Sequence, residues 1–153
     1  MQTSTDLRYA GFWVRFGASI VDTILILLVT LPLLYVLYGE AYFVYDGWLY
    51  GSGDFLISYV MPAVIVIAFW NSKQATPGKM ALSLRILDAR TGEPASTGQY
   101  IGRYFAYIVS MLPLGLGLLW VAFDARKQGW HDKLAGTVVV RQMRPVQVHF
   151  DRG

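Results

Sequence analysis

The chain has 153 residues, of which 55% are hydrophobic, 15% aromatic and only 15% charged, and its mean hydropathy is +0.42. That is too apolar for an ordinary soluble domain and normal for a small multi-spanning membrane protein. The absence of cysteine excludes disulfides, thiolate metal sites and cysteine nucleophiles, and the net charge of +3 lies in blocks between apolar segments, not in the continuous stripe a nucleic-acid partner requires.

Between Phe16 and Ser72 there is no lysine or arginine. Two apolar runs lie within it, Phe16 to Tyr38 and Phe55 to Trp70. At 1.5 Å per residue they predict helices about 34 and 24 Å long, the second extendable into its flanks. The first is too long for a signal-peptide core and no A-x-A site follows it, so it is expected to remain as a membrane helix. The intervening GEAYFVYDGWLYGSGD carries Glu40, Asp46 and Asp54 but no basic residue, whereas Arg8 and Arg15 precede the first run and Lys73, Lys79, Arg85 and Arg90 follow the second. This asymmetry predicts a cytoplasmic N-terminus and an outward-facing loop. The loop aromatics Tyr42, Phe43, Tyr45, Trp48 and Tyr50 fit headgroup-level anchors better than a ligand-stacking surface.

A third apolar stretch runs from Tyr104 to Phe123. Read as one span, it exports Arg126, Lys127, Lys133, Arg141, Arg144 and Arg152, six of the thirteen basic residues, against the same rule. The interruption LPLGLG, Leu112 to Gly117, favours two short helices forming a hairpin that enters and leaves on one side. MALSLRILDARTGEP alternates and then turns at Thr91-Gly92, and GTVVVRQM is β-branched and opened by Gly136. Both read as strands of one small cytoplasmic sheet, which demands an even number of crossings between them. The expected fold is therefore an all-α membrane protein with two full transmembrane helices plus a C-terminal Pro/Gly-interrupted helical hairpin or third span, and a small cytoplasmic β element. One domain is expected over 8–142, with 1–7 and 143–153 as short cytoplasmic tails.

Ionisable groups inside such runs need an account. Arg15, Ser19 and Asp22 share one helical face at offsets of four and seven, with Asp22 about 10 Å deeper than Arg15. Arg15 can snorkel to the interface. Asp22 is too short for that, so it must face the bundle interior, pair with a cation such as Arg15 or Arg103, or carry a proton. The alternatives are a buried polar lock and an ion or proton site. In QATPGK the Pro77-Gly78 pair reads as a turn with Lys79 near the headgroups; a phosphate-binding P-loop fails, since Lys73 and Met80 stand where glycine and Ser/Thr are required. FDARKQGWHDKLAGT holds Asp124, His131 and Asp132. Adjacent His131 and Asp132 point apart on regular backbone and make a poor dyad. Ligands are too few for a metal, no nucleophile converges with a base, and neither a cofactor nor enzymatic activity is expected. Charge pairing that seats this loop against the first helix is favoured, with His131 hydrogen-bonded in a structural role in preference to titrating as a pH sensor.

An arginine opening the first membrane helix with an aspartate in its middle, a T-P-G-K turn leading into L-R-I-L-D and T-G, and a later W-H-D-K-L-A-G-T-V-V-V together resemble the RDD family of small bacterial membrane proteins. The resemblance covers about residues 8 to 142. It implies that Arg15 is the family's arginine and Asp22 its first aspartate, that Asp132 is the second with Asp124 as the alternative, that Thr76, Pro77, Gly78 and Lys79 form its loop motif, and that Gly136 and Thr137 form its closing turn. It also implies a transporter or transporter subunit for an unknown ligand, with cation/proton coupling attributed to some members. The alternative is a non-transporting accessory or scaffold subunit of a larger membrane complex. The polar groups along the spans, Ser19, Asp22, Thr23, Thr30, Ser58 and Asn71, are sparse for a self-contained hydrophilic path. Expected partners are the lipid bilayer and either further copies of the chain or another membrane protein, in a bacterial inner membrane with the N-terminus and C-terminus cytoplasmic.

Overall fold

A computed structural model describes residues 7–143; expectations placed on Arg144, Arg152 and most of both tails lie outside the described residues. The chain begins with β1 (Leu7–Tyr9) and enters α1 (Phe12–Tyr38), a single helix of 27 residues. Large apolar side chains all round α1, among them Ile24, Leu28 and Val36, are exposed. Only Arg15, Ala18, Thr30 and Leu34 are buried, the pattern of a helix solvated by lipid. Pro32 is accommodated within it.

After a 3₁₀ segment, Gly39–Val44, the second span starts with α2 (Ser52–Phe55), passes through a π turn, Leu56–Val60, and continues as α3 (Met61–Lys73). The π turn has a local cause. Pro62 lacks an N–H, and the Met61 N–H reaches back five residues to the Leu56 carbonyl, displacing the ladder where the ring would clash. These two helices are long and apolar enough to cross a membrane.

Pro77-Gly78 does not form an isolated turn. It opens the short helix α4 (Pro77–Ala81), with proline in the first turn where its missing N–H costs nothing. Then come β2 (Leu84–Asp88) and α5 (Thr97–Met111). Ser96 and Gln99 close a reciprocal capping box at the start of α5, so this helix begins seven residues before the apolar stretch read from sequence. The Thr97 hydroxyl donates to Asn71 Oδ1 at 2.7 Å, tying that start to the end of α3. At Leu114 (φ 55°) and Gly115 (φ 77°) the chain breaks. The helices α6 (Leu116–Leu119) and a 3₁₀ turn, Trp120–Ala122, leave at 112° to α5, so Tyr104 to Phe123 is a bent pair and not one straight helix. α7 (Trp130–Ala135) and β3 (Thr137–Gln142) complete the chain.

β3 is the centre of an antiparallel sheet ordered β1-β3-β2. Ile86 faces Val139 and Arg85 faces Val140 across one pair, and Arg8 faces Arg141 across the other. The two anticipated strands thus share a sheet, and the bent pair α5–α6 lies between them in the chain. The strand β1 was not anticipated. It takes in Leu7, a residue expected in the N-terminal tail. Ile86 and Val139 pack with Ala18 of α1, Trp70 of α3 and Tyr100 of α5, so the core lies where the sheet meets the helix ends.

Candidate functional site

The first charged cluster forms where α1, α5 and α7 converge. Arg15, in the first turn of α1, donates from Nη2 to Asp132 Oδ2 at 2.6 Å and from Nη1 to the Lys127 carbonyl at 2.7 Å. Arg103 of α5 donates from Nη1 to the other oxygen, Asp132 Oδ1, and to Thr137 Oγ1 at 2.7 Å. Both Arg103 and Asp132 are fully buried. Asp132 sits there because α7 needs an N-terminal acceptor: its Oδ2 also takes the Gly129 N–H at 3.0 Å. Gly136, in the left-handed region at φ 67°, ends α7 and turns the chain so that Thr137 lies beneath Arg103. The rest of the Arg103 guanidinium lies over the Trp70 and Tyr107 rings at 5.4 and 5.6 Å, with its Nε unpartnered. Burial alone would raise the Asp132 carboxyl, but Arg103 and then Arg15 overcome this and hold it well below the ordinary carboxylate range.

His131 joins the same cluster. Adjacent residues on regular backbone were expected to point apart, yet His131 Nε2 lies 3.1 Å from Arg15 Nη2 and 3.5 Å from Asp132 Oδ2, because Arg15 enters beside the first turn of α7 and both side chains reach it. The ring stacks on Tyr107 at 4.0 Å, with Nδ1 3.5 Å from Ser110 Oγ. Arg15 as donor requires an unprotonated Nε2. Desolvation pushes the imidazole well below its ordinary value; Asp132 opposes this and Arg103 and Arg15 add to it. His131 is therefore a neutral acceptor at pH 7.

The second cluster corrects the partner expected for Asp22. Its carboxylate meets neither Arg15 nor Arg103. Oδ1 accepts the Gly78 N–H at 2.7 Å, Oδ2 accepts the Thr76 hydroxyl, and Lys79 Nζ stands 3.7 Å from Oδ2. Lys79 is accordingly buried, since α4 folds back onto α1. The close approach requires glycine at 78: a Cβ there would overlap the Ala18 carbonyl and lie 2.9 Å from Asp22 Cγ. Pro77 fixes the first turn of α4 that aims these donors at Asp22.

Two predicted residues stay outside both clusters. The Ser19 hydroxyl bonds back to the Arg15 carbonyl at 3.0 Å. Asp124 pairs with Lys133 at 2.6 Å and accepts the Arg126 and Gln128 N–H groups, organising the loop before α7. Between α1 and α3 an apolar groove of about 280 Å³ runs past Ile26, Val29, Ile65 and Phe69, with Asp22 and Thr76 in its lining.

At the opposite end of the spans, Asp54 is a buried carboxylate that the loop reading did not single out. It accepts from Tyr42 Oη, Ser58 Oγ and the Tyr50 N–H at 2.9, 2.7 and 2.9 Å, and its own N–H donates to Tyr38 Oη. Tyr38, Tyr42 and Tyr50 pack on one another there, while Trp48 is exposed. The sequence signal was Asp54 four residues before Ser58 at the start of an apolar run.

The RDD family profile matches residues 9–136. The chain is 32% identical to the uncharacterized protein YxaI of Bacillus subtilis (strain 168), over 86% of this chain and 96% of that protein. It is 31% identical to the uncharacterized membrane protein YteJ of the same organism, over 88% and 82%. A shorter match, 39% identical, covers 49% of this chain and 41% of the uncharacterized protein RP437 of Rickettsia prowazekii (strain Madrid E). No solved structure matches.

Proposed function

Since the chain belongs to the RDD family, we propose that it is a membrane-embedded accessory module: a non-conducting subunit that a larger assembly of the bacterial inner membrane uses. One observation carries this reading. The charged groups of α1 and α5 are each closed within the same chain, Arg15 and Arg103 on Asp132, and Asp22 on Thr76, Gly78 and Lys79. Groups committed in this way act as fasteners that hold α4, α5 and α7 to α1, and they leave no exposed polar series along the spans for a solute to follow. The reading assigns no catalytic role to these residues.

The proposed topology has two crossings and a re-entrant α5–α6 pair, with the N-terminus and the sheet on the cytoplasmic side. It is supported by the distribution of basic residues, the 112° bend and the pairing of β2 with β3. The test of the accessory role is isolation of the full chain from its native membrane in gentle detergent. The account expects a stoichiometric unrelated membrane protein to come with it. Isolation of a homogeneous homo-oligomer alone counts against it.

A second reading, a transporter or transporter subunit with cation/proton coupling, is favoured by a specific feature: Asp22 lines the groove and Lys79 stands at 3.7 Å, a loose counterion. A cation arriving at Asp22 would compete with Lys79. Under that reading Lys79→Met increases cation affinity and Asp22→Asn abolishes it, as read by isothermal titration with sodium.

A further inference from the structure

Beyond the last residue of the second span the chain folds around a polar cavity of about 340 Å³, lined chiefly by Ser72, Lys73, Gln74, Ser83, Arg85 and Gln142. Among the described residues, no carboxylate lines it, and neither Lys73 nor Arg85 has an acidic partner within 4.0 Å, whereas Arg15, Lys79, Arg103 and Lys133 each have one. Hydroxyl and amide donors from Ser83, Gln74 and Gln142 complete a lining rich in donors.

The walls are built by unusual backbone. Gln74 and Ser83 both occupy the left-handed region, at φ 57° and 58°, which non-glycine residues adopt at a cost when the surroundings impose it. Their carbonyls are fixed in turn: Gln74 accepts the Ile86 N–H at 2.7 Å and Ser83 the Gln142 N–H at 2.9 Å.

Position supplies the ligand class. Lys73 closes α3, so the cavity opens where the hydrocarbon ends and headgroups begin. We propose that this cavity binds a phosphate group, presented by the headgroup of an anionic phospholipid. Lys73 and Arg85 neutralise its charge, and Ser83, Gln74 and Gln142 donate to its oxygens. Free inorganic phosphate has the same chemistry, and the experiment separates the two sources. The site does not depend on whether the chain is an accessory subunit or a transporter.

The full chain is reconstituted into vesicles of equal parts phosphatidylcholine and phosphatidylglycerol, released, and weighed intact by native mass spectrometry to count retained lipid. Wild type and the exposed control Arg90→Gln are expected to retain phosphatidylglycerol over phosphatidylcholine, and Lys73→Gln/Arg85→Gln to hold it roughly 30-fold more weakly, from about a fivefold effect per basic residue. Equal elution profiles in size-exclusion chromatography certify that the variant folds. Binding of radiolabelled phosphate by the lipid-free protein in non-ionic detergent, lost in the double variant, without lipid retention, keeps the site and assigns it to free phosphate. Equal lipid retention by wild type and double variant, or an equal loss in Arg90→Gln, with no phosphate binding, overturns the proposal.

Discussion

Replacing Asp132 by asparagine keeps the side chain's shape and removes its charge. In the folded protein that carboxylate accepts from Arg15, Arg103 and the Gly129 N–H, and both it and Arg103 are fully buried. Asparagine has one acceptor oxygen and one NH₂ donor, so one guanidinium must face a donor and both lose their counter-charge. Removing one member of a buried pair costs about 3–5 kcal/mol, because a charge is left uncompensated in a poorly solvating site. For a chain of this length that is on the order of 10 °C in midpoint. The assay is thermal unfolding in detergent followed by tryptophan fluorescence, repeated for Arg15→Met and for the double variant. The paired residues should show a coupling of roughly 1–3 kcal/mol, with Arg15→Met/Asp132→Asn less destabilised than the sum of the single changes. Additive effects, or an Asp132→Asn midpoint equal to wild type, would refute the reasoning that this contact fastens α1 to α7.

The remaining expectations concern the neighbours of that lock and the second cluster. His131 is held neutral by burial, so its folded pKa lies below the unfolded value. The unfolded chain then binds the extra proton, and stability should fall as pH drops below about 6.5, by up to about 1.4 kcal/mol per unit; urea midpoints between pH 7.5 and 5 should show the slope, and His131→Gln should flatten it. Gly78→Ala forces a methyl group against the Ala18 carbonyl and Asp22, which should cost about 1–3 kcal/mol in the same unfolding assay; an unchanged midpoint would mean that α4 does not rest on α1. At Gln74, left-handed and at the end of α3, glycine should raise stability by roughly 0.5–1 kcal/mol, measurable as a higher midpoint with unchanged cooperativity.

Much of this arrangement can be read in one dimension. The two spans follow from charge-free apolar runs longer than a bilayer demands, and the break at Leu114-Gly115 from its Pro/Gly content. Strands β2 and β3 follow from alternation and β-branching. Seating of the W-H-D loop on the first helix was also legible as charge pairing, because Asp132 has arginines to meet and no route to water. The partner of Asp22 was not. Choosing between Arg15, Arg103 and Lys79 depends on α4 folding back over α1, a tertiary event encoded in the absence of a side chain at Gly78. His131 and Asp132 converge for a similar reason: both stand in the first turn of a helix of 6 residues, and the Arg15 guanidinium enters beside that turn and reaches both, a meeting that the periodicity of a single element does not encode. The three residues of β1 are too few to show a period and exist because β3 offers them an edge.

The central claim is that the charged residues of α1 and α5, Arg15, Asp22 and Arg103, are spent on holding the chain together. The most direct test is flux through the purified chain alone, reconstituted in proteoliposomes with a sodium or pH gradient and an entrapped pH-sensitive dye. The account predicts that wild type and Asp22→Asn both leave the gradient as slow to decay as in protein-free vesicles. Gradient-driven flux in the wild type that Asp22→Asn abolishes, with protein content unchanged, would contradict it.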